Sequence, residues 1–72
     1  MIGVIRSLRE DKKFGFIRVN GNRDDYFFHR DDFLGDWDAL VVLYHSGEVN
    51  VDFTPIGTAK GPRAQNVTLI GA

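Results

Sequence analysis

Residues 12–30 read Lys12-Lys13-Phe14-Gly15-Phe16-Ile17-Arg18-Val19-Asn20-Gly21-Asn22-Arg23-Asp24-Asp25-Tyr26-Phe27-Phe28-His29-Arg30. Asn20-Gly21 stands between two runs rich in aromatic and β-branched residues. That pattern predicts two β-strands joined by a tight turn, because hairpin turns that match strand twist need residues tolerant of positive φ. Successive side chains of a strand point to opposite faces. Phe14 and Phe16 therefore share a face of the first strand, with Gly15 and Ile17 behind them. On the second strand Phe27 and His29 share one face, and Tyr26 and Phe28 the other. Ile17, Tyr26 and Phe28 are assigned to the core. Phe14, Phe16, Phe27 and His29 are left as a four-ring patch facing outward, with Lys12, Lys13, Arg18 and Arg30 beside it in sequence. The opposite assignment would drive Ile17, Tyr26 and Phe28 into solvent, and a sheet this small has only one interior.

Flat rings interleaved with cations suit an unpaired nucleic-acid strand, whose bases stack on π-faces while its phosphates seek positive charge. The 72-residue chain carries a formal net charge of −1, which argues against generic polyanion binding over a uniformly basic surface. The distribution says more than the sum. Six of the nine basic residues lie between Arg6 and Arg23, and Lys60 and Arg63 add two more, whereas eight of the ten acids fall between Asp24 and Asp52. If the basic ends of the chain meet on one face, a locally positive groove coexists with a neutral total.

Seventy-two residues predict one domain, 1–72, with one small core and a stability of about a few kcal/mol. There is no cysteine, so neither a disulfide nor a thiolate metal site is available. Arg6 and Arg9 interrupt the only apolar stretch near Met1, and no run approaches transmembrane length. The expectation is a soluble, cytoplasmic chain with no membrane contact.

Along the chain, Ile2–Arg9 reads as a first strand with Ile5 inward. Residues 31–39 hold four aspartates and are too irregular for a strand, and their spacing lacks the ligand alternation of a calcium loop. Leu40-Val41-Val42-Leu43-Tyr44 is a continuous apolar run whose β-branched residues and short length favour a strand. An extra strand edge, a swapped element or a dimer contact are the options for it, with a monomer as the leading expectation. Glu48–Thr54 alternates with Val49, Val51 and Phe53 inward, and Pro55 suggests a strand end or an edge. Ala64–Ile70 forms the last strand, after the loop Gly57–Pro62. Five strands in this order fit an all-β, antiparallel Greek-key barrel of the OB type.

Lys12-Lys13-Phe14-Gly15-Phe16-Ile17 resembles the first RNA-binding motif of the cold-shock domain family, whose usual form is Lys-Gly-Phe-Gly-Phe-Ile. Asp25-Tyr26-Phe27-Phe28-His29-Arg30 resembles the second, usually Asp-Val-Phe-Val-His-Phe. Gly3-Val4-Ile5-Arg6 and Lys60-Gly61-Pro62-Arg63-Ala64-Gln65-Asn66-Val67 are similar to the family's first strand and its last loop and strand. The resemblance covers nearly the whole chain and is poorest at 31–50. It implies single-stranded RNA or DNA as partner, RNA-chaperone activity, and no cofactor or metal. Bases would stack on Phe14, Phe16, Phe27 and His29, while Arg6, Lys12, Lys60 and Arg63 attract phosphates. Trp37 sits about where the family places a further base-contacting ring; packing into the barrel end is its alternative.

The departures from the pattern matter. Ser7-Leu8 replaces a usual Trp-Phe pair, Arg30 replaces a ring, and Lys13 replaces a glycine. Two or three stacking platforms are lost, and Arg30 and Lys13 recover part of that, since a guanidinium can itself stack on a base. A weaker binder leaning more on charge is the resulting expectation. A rival reading keeps the barrel as a protein-interaction module using Leu40–Tyr44. No activated nucleophile, metal cluster or phosphate loop can be read in the sequence, so an enzyme is not expected.

Overall fold

The computed structural model describes residues 1–21 and 25–70. Five strands, β1 (Ile2–Arg9), β2 (Phe14–Arg18), β3 (Asp25–His29), β4 (Asn50–Thr58) and β5 (Gly61–Leu69), close into a barrel in the order β1-β2-β3-β5-β4. Four pairings are antiparallel, and β3 joins β5 in parallel through Phe27 and Arg63. A second parallel bridge, Phe33 with Val67, continues that seam. The fold is the five-stranded barrel that the strand pattern called for, with one antiparallel expectation corrected at the closing pair. The reason is the route of the chain, which crosses the barrel end after β3 and so brings β5 back in the same direction.

The hairpin alternation holds. Ile17 and Phe28 are fully buried, and Tyr26 is half-buried with its ring 5.1 Å from that of Phe53. Ile5, Val49, Val51, Phe53 and Val67 complete the barrel interior. Ile5 and Leu8 are both inward although three residues apart, which strict alternation forbids. The register slips between Ile5 and Ser7. This β-bulge at Arg6 sets one extra residue on β1 and restores Leu8 to the inner face.

Leu40–Tyr44 is not a strand. It lies inside α1, Trp37–Ser46. Trp37 and Leu40 are buried, with Val41 and Tyr44 half-buried against the core. These four positions follow the i, i+3, i+4, i+7 spacing of one helix face. Asp36 caps the helix, its carboxylate accepting the Asp38 N–H at 3.0 Å, and Gly47 at φ 151° ends it. The intrinsic strand preference of Val41 and Val42 loses to the burial of an indole and a leucine on one face, worth about 1.5–3 kcal/mol for each large side chain.

Pro55 lies within β4, paired with Ala64. By then β4 has left β1, whose register with it ends at Asp52, so the missing N–H falls on an unpaired edge. The Gly57–Pro62 loop is mostly strand: β4 and β5 meet at Thr58 and Gly61, leaving Ala59 and Lys60 as the turn. No helix among the described residues is long and apolar enough to cross a membrane.

Candidate functional site

The register of the β1-β2-β3 sheet assembles the outer face residue by residue. Directly paired residues present their side chains on the same side. Phe14 pairs with His29 and Phe16 with Phe27, so the four rings form two adjacent rows. On the far side of β2, Arg9 pairs with Phe14 and Ser7 with Phe16. The rings of Phe14, Phe16 and Phe27 touch, with centroids 5.9 Å (Phe14–Phe16), 5.5 Å (Phe14–Phe27) and 5.8 Å (Phe16–Phe27) apart. Each is half-buried. Only Phe14 and Phe27 approach a common plane, at 37°; Phe16 stands nearly edge-on to Phe14 at 86°.

His29 joins the patch at its Phe14 end. Its Nδ1 accepts the Asp31 N–H at 3.2 Å, and its own N–H donates to the Asp32 carboxylate at 3.0 Å. This reciprocal cap starts the 3-10 turn Arg30–Asp32 and fixes the ring's root.

The cations sort into three groups. Lys12, Lys13 and Arg30 gather at the Phe14–His29 end, where the Arg30 N–H donates to the Lys13 carbonyl at 2.8 Å. Lys13 holds φ at 59°, the left-handed region that glycine adopts without strain and other residues do not. Arg6 and Arg18 lie at the other end, and both meet Asp25: Arg6 Nη1 at 2.5 Å and Arg18 Nε at 3.5 Å. Arg6 is thus on the face but shares its charge with a carboxylate. On the third side Lys60 and Arg63, with Phe16 and Phe27, line a cleft of about 370 Å³ closed by Thr58, Gly61 and Pro62. The Arg63 guanidinium carbon lies 5.7 Å from the Phe27 ring centroid, within cation–π range.

Trp37 does not join the patch. It is 7% exposed, its ring 6.1 Å from Phe28 and 6.4 Å from Phe33 in the barrel end. An indole enclosed there presents no free face to a base, and the ring-for-ring expectation at this position is corrected. Leu8 is likewise a core residue, 8% exposed, so of the Ser7-Leu8 pair only Ser7 stands where an outward ring would add a platform. Two groups escaped the sequence reading. Arg9 faces outward opposite Phe14, a placement that needed the β1–β2 register. Asp32 anchors Arg63, with Oδ2 accepting from Nε at 3.2 Å and from Nη2 at 2.9 Å; a contact across 31 residues leaves no local signal.

A family model described as the 'Cold-shock' DNA-binding domain matches residues 1–70. No curated protein matches the chain closely enough to count as a relative.

Proposed function

The chain belongs to the cold-shock domain family, a nucleic-acid-binding family, and from that premise we propose that the Phe14–Phe16–Phe27–His29 face binds unpaired RNA or DNA by stacking. The observation that carries the reading is the mutual contact of three outward phenylalanine rings, bordered by Lys12, Lys13, Arg30, Lys60 and Arg63. Bases stack on the rings, at about 1–3 kcal/mol per base by substitution, and the flanking cations neutralise phosphates and release counterions. Trapping the unpaired form by mass action is what makes such a protein an RNA chaperone. No cofactor is needed for this, and on this reading the chain acts as a single domain, a monomer in the cytoplasm.

Binding is weaker than the motif pattern promises and depends more on charge. Ser7 offers no ring, Arg30 stands for another, and Trp37 is withdrawn into the core. The test is a titration of a short oligothymidine against the matching duplex at two salt concentrations, read by fluorescence anisotropy of a labelled strand. Single-strand binding that falls steeply with salt and is lost in Phe14→Ala and Phe27→Ala is expected. Equal affinity for the duplex, or no dependence on salt, counts against it.

A second reading, a protein-interaction module, rests on Val42 and Leu43, which α1 turns to solvent at 64% and 45% exposure. Concentration-dependent oligomers without oligonucleotide binding select that reading.

A further inference from the structure

Resting on the stacking site just proposed, we infer that Asp32 and Arg63 together read one base at the Phe27 position, favouring a base with two adjacent hydrogen-bond acceptors on one edge. Guanine offers N7 and O6, and cytosine offers N3 and O2. Neither adenine nor thymine presents two adjacent acceptors on any edge.

The geometry begins with Asp32. Its side chain is 11% exposed, the least accessible partner of the site's ion pairs, and it is held in place by the cap to the His29 backbone N–H at 3.0 Å. Oδ2 takes both Nε and Nη2 of Arg63. This side-on grip uses one flank of the guanidinium. Of the remaining N–H groups, one on Nη1 and the outer one on Nη2 form its end-on edge, and among the described residues Nη1 has no partner. Arg63 is 39% exposed at its side chain, so that edge is open to a ligand.

Two further observations aim the edge at a base rather than at bulk solvent. The guanidinium sits 5.7 Å from the Phe27 centroid, and Phe27 and Arg63 are register partners across the β3–β5 seam. Both line the cleft that also holds Phe16, Lys60 and Pro62. A base lying on Phe27 in that cleft turns one edge toward Arg63. Two parallel N–H donors in a fixed fork meet two adjacent acceptors bidentately, the arrangement by which arginine reads guanine. In a single strand every base edge is available for such reading.

Asp32 is the positioning residue in this scheme. Its charge also pairs with that of Arg63, so Arg63 acts as a directional donor more than as a free phosphate attractor. Lys60, at the turn of the same cleft, has no carboxylate partner among the described residues and takes the phosphate role there.

The experiment uses the whole protein and five fluorescent oligonucleotides: oligothymidine, and the same strand with one central dG, 7-deaza-dG, dC or dA. A gain of about five-fold or more for dG over dT, lost in 7-deaza-dG, identifies guanine through N7. A comparable gain for dC alone identifies cytosine. In Arg63→Lys, which keeps the charge but loses the fork, and in Asp32→Asn, which keeps the acceptor for the His29 cap, the ratio to dT falls toward one whatever the absolute affinity does. Thermal melts of both variants establish that they are folded. Binding of oligothymidine with no discrimination among the five strands overturns the base-reading role and leaves the stacking site standing. Discrimination that survives both substitutions overturns it too. No binding of any strand removes the stacking site and this inference together.

Discussion

The backbone of Lys13, held at φ 59°, accepts the Arg30 N–H at 2.8 Å, so the β1–β2 turn and the end of β3 are tied through a strained lysine. A side chain in the left-handed region costs about 1–2 kcal/mol. Glycine escapes that cost but surrenders about 0.5–1 kcal/mol of extra chain entropy on folding. Lys13→Gly is therefore expected to stabilise the domain by up to about 1 kcal/mol, raising the melting midpoint by a few degrees. The same change removes a cation from the Phe14 end, weakening oligonucleotide binding and reducing the salt slope by about 0.7 if Lys13 contacts one phosphate. Calorimetry and a salt titration read the two effects, and a variant both less stable and tighter-binding refutes the account.

Ser7 is the cheapest place to add a stacking platform. It lies on the outer face opposite Phe16 and is half-buried. Ser7→Trp is expected to tighten oligothymidine binding by about 1–3 kcal/mol, the value of one stacked base. Unchanged affinity in a folded Ser7→Trp protein means that the strand does not cross β1.

Trp37 supports the fold. Replacing it with alanine removes an indole from between Phe28 and Phe33, at a cost of about 3–5 kcal/mol, comparable to the whole stability of a domain this size. Trp37→Ala is expected to be largely unfolded by circular dichroism. In the parent protein the Trp37 emission reports folding, and saturating oligonucleotide leaves it nearly unquenched; strong quenching by a single strand places the ring in the site after all.

Gly15 separates the ring row from the core. A Cβ there would lie 2.8 Å from the Ser7 carbonyl oxygen and 2.9 Å from both Leu8 Cδ1 and Phe28 Cε1. The carbonyl cannot swing aside as a side chain would. Gly15→Ala is expected to destabilise by about 1–3 kcal/mol through overpacking, visible as a drop in denaturant midpoint, and a neutral result shows that β1 and β2 separate easily.

The strands were legible because each is wet on one side and dry on the other, so a two-residue period exposes both the core (Ile17, Phe28, Val51) and the ring face. The Asn20-Gly21 signal then set which strands pair. α1 was hidden by its composition. From Leu40 to Tyr44 every residue is apolar, and no period can be read inside that window. Extending it back to Trp37 reveals the helical stripe, and Asp36 supplies the cap, but both residues lie in an acidic segment whose irregularity masks the start of the helix. The bulge at Arg6 had no local mark, and so the facing of Ser7, Leu8 and Arg9 waited on the register. Asp32 was invisible for a different reason: its partner is brought to it only when the barrel closes.

That closure is narrow. β3 and β5 share a single register pair, Phe27 with Arg63, reinforced by the neighbouring Phe33–Val67 bridge. Strands β1–β3 and the β4–β5 hairpin meet at this seam as well as along β1 and β4, and the two lips of the seam, Phe27 and Arg63, also line the cleft beside Phe16. A strand bound as proposed would rest on both and act as a clasp, so bound oligonucleotide is expected to slow opening of this seam, read as slower amide hydrogen exchange along β3 and β5 than in the free protein.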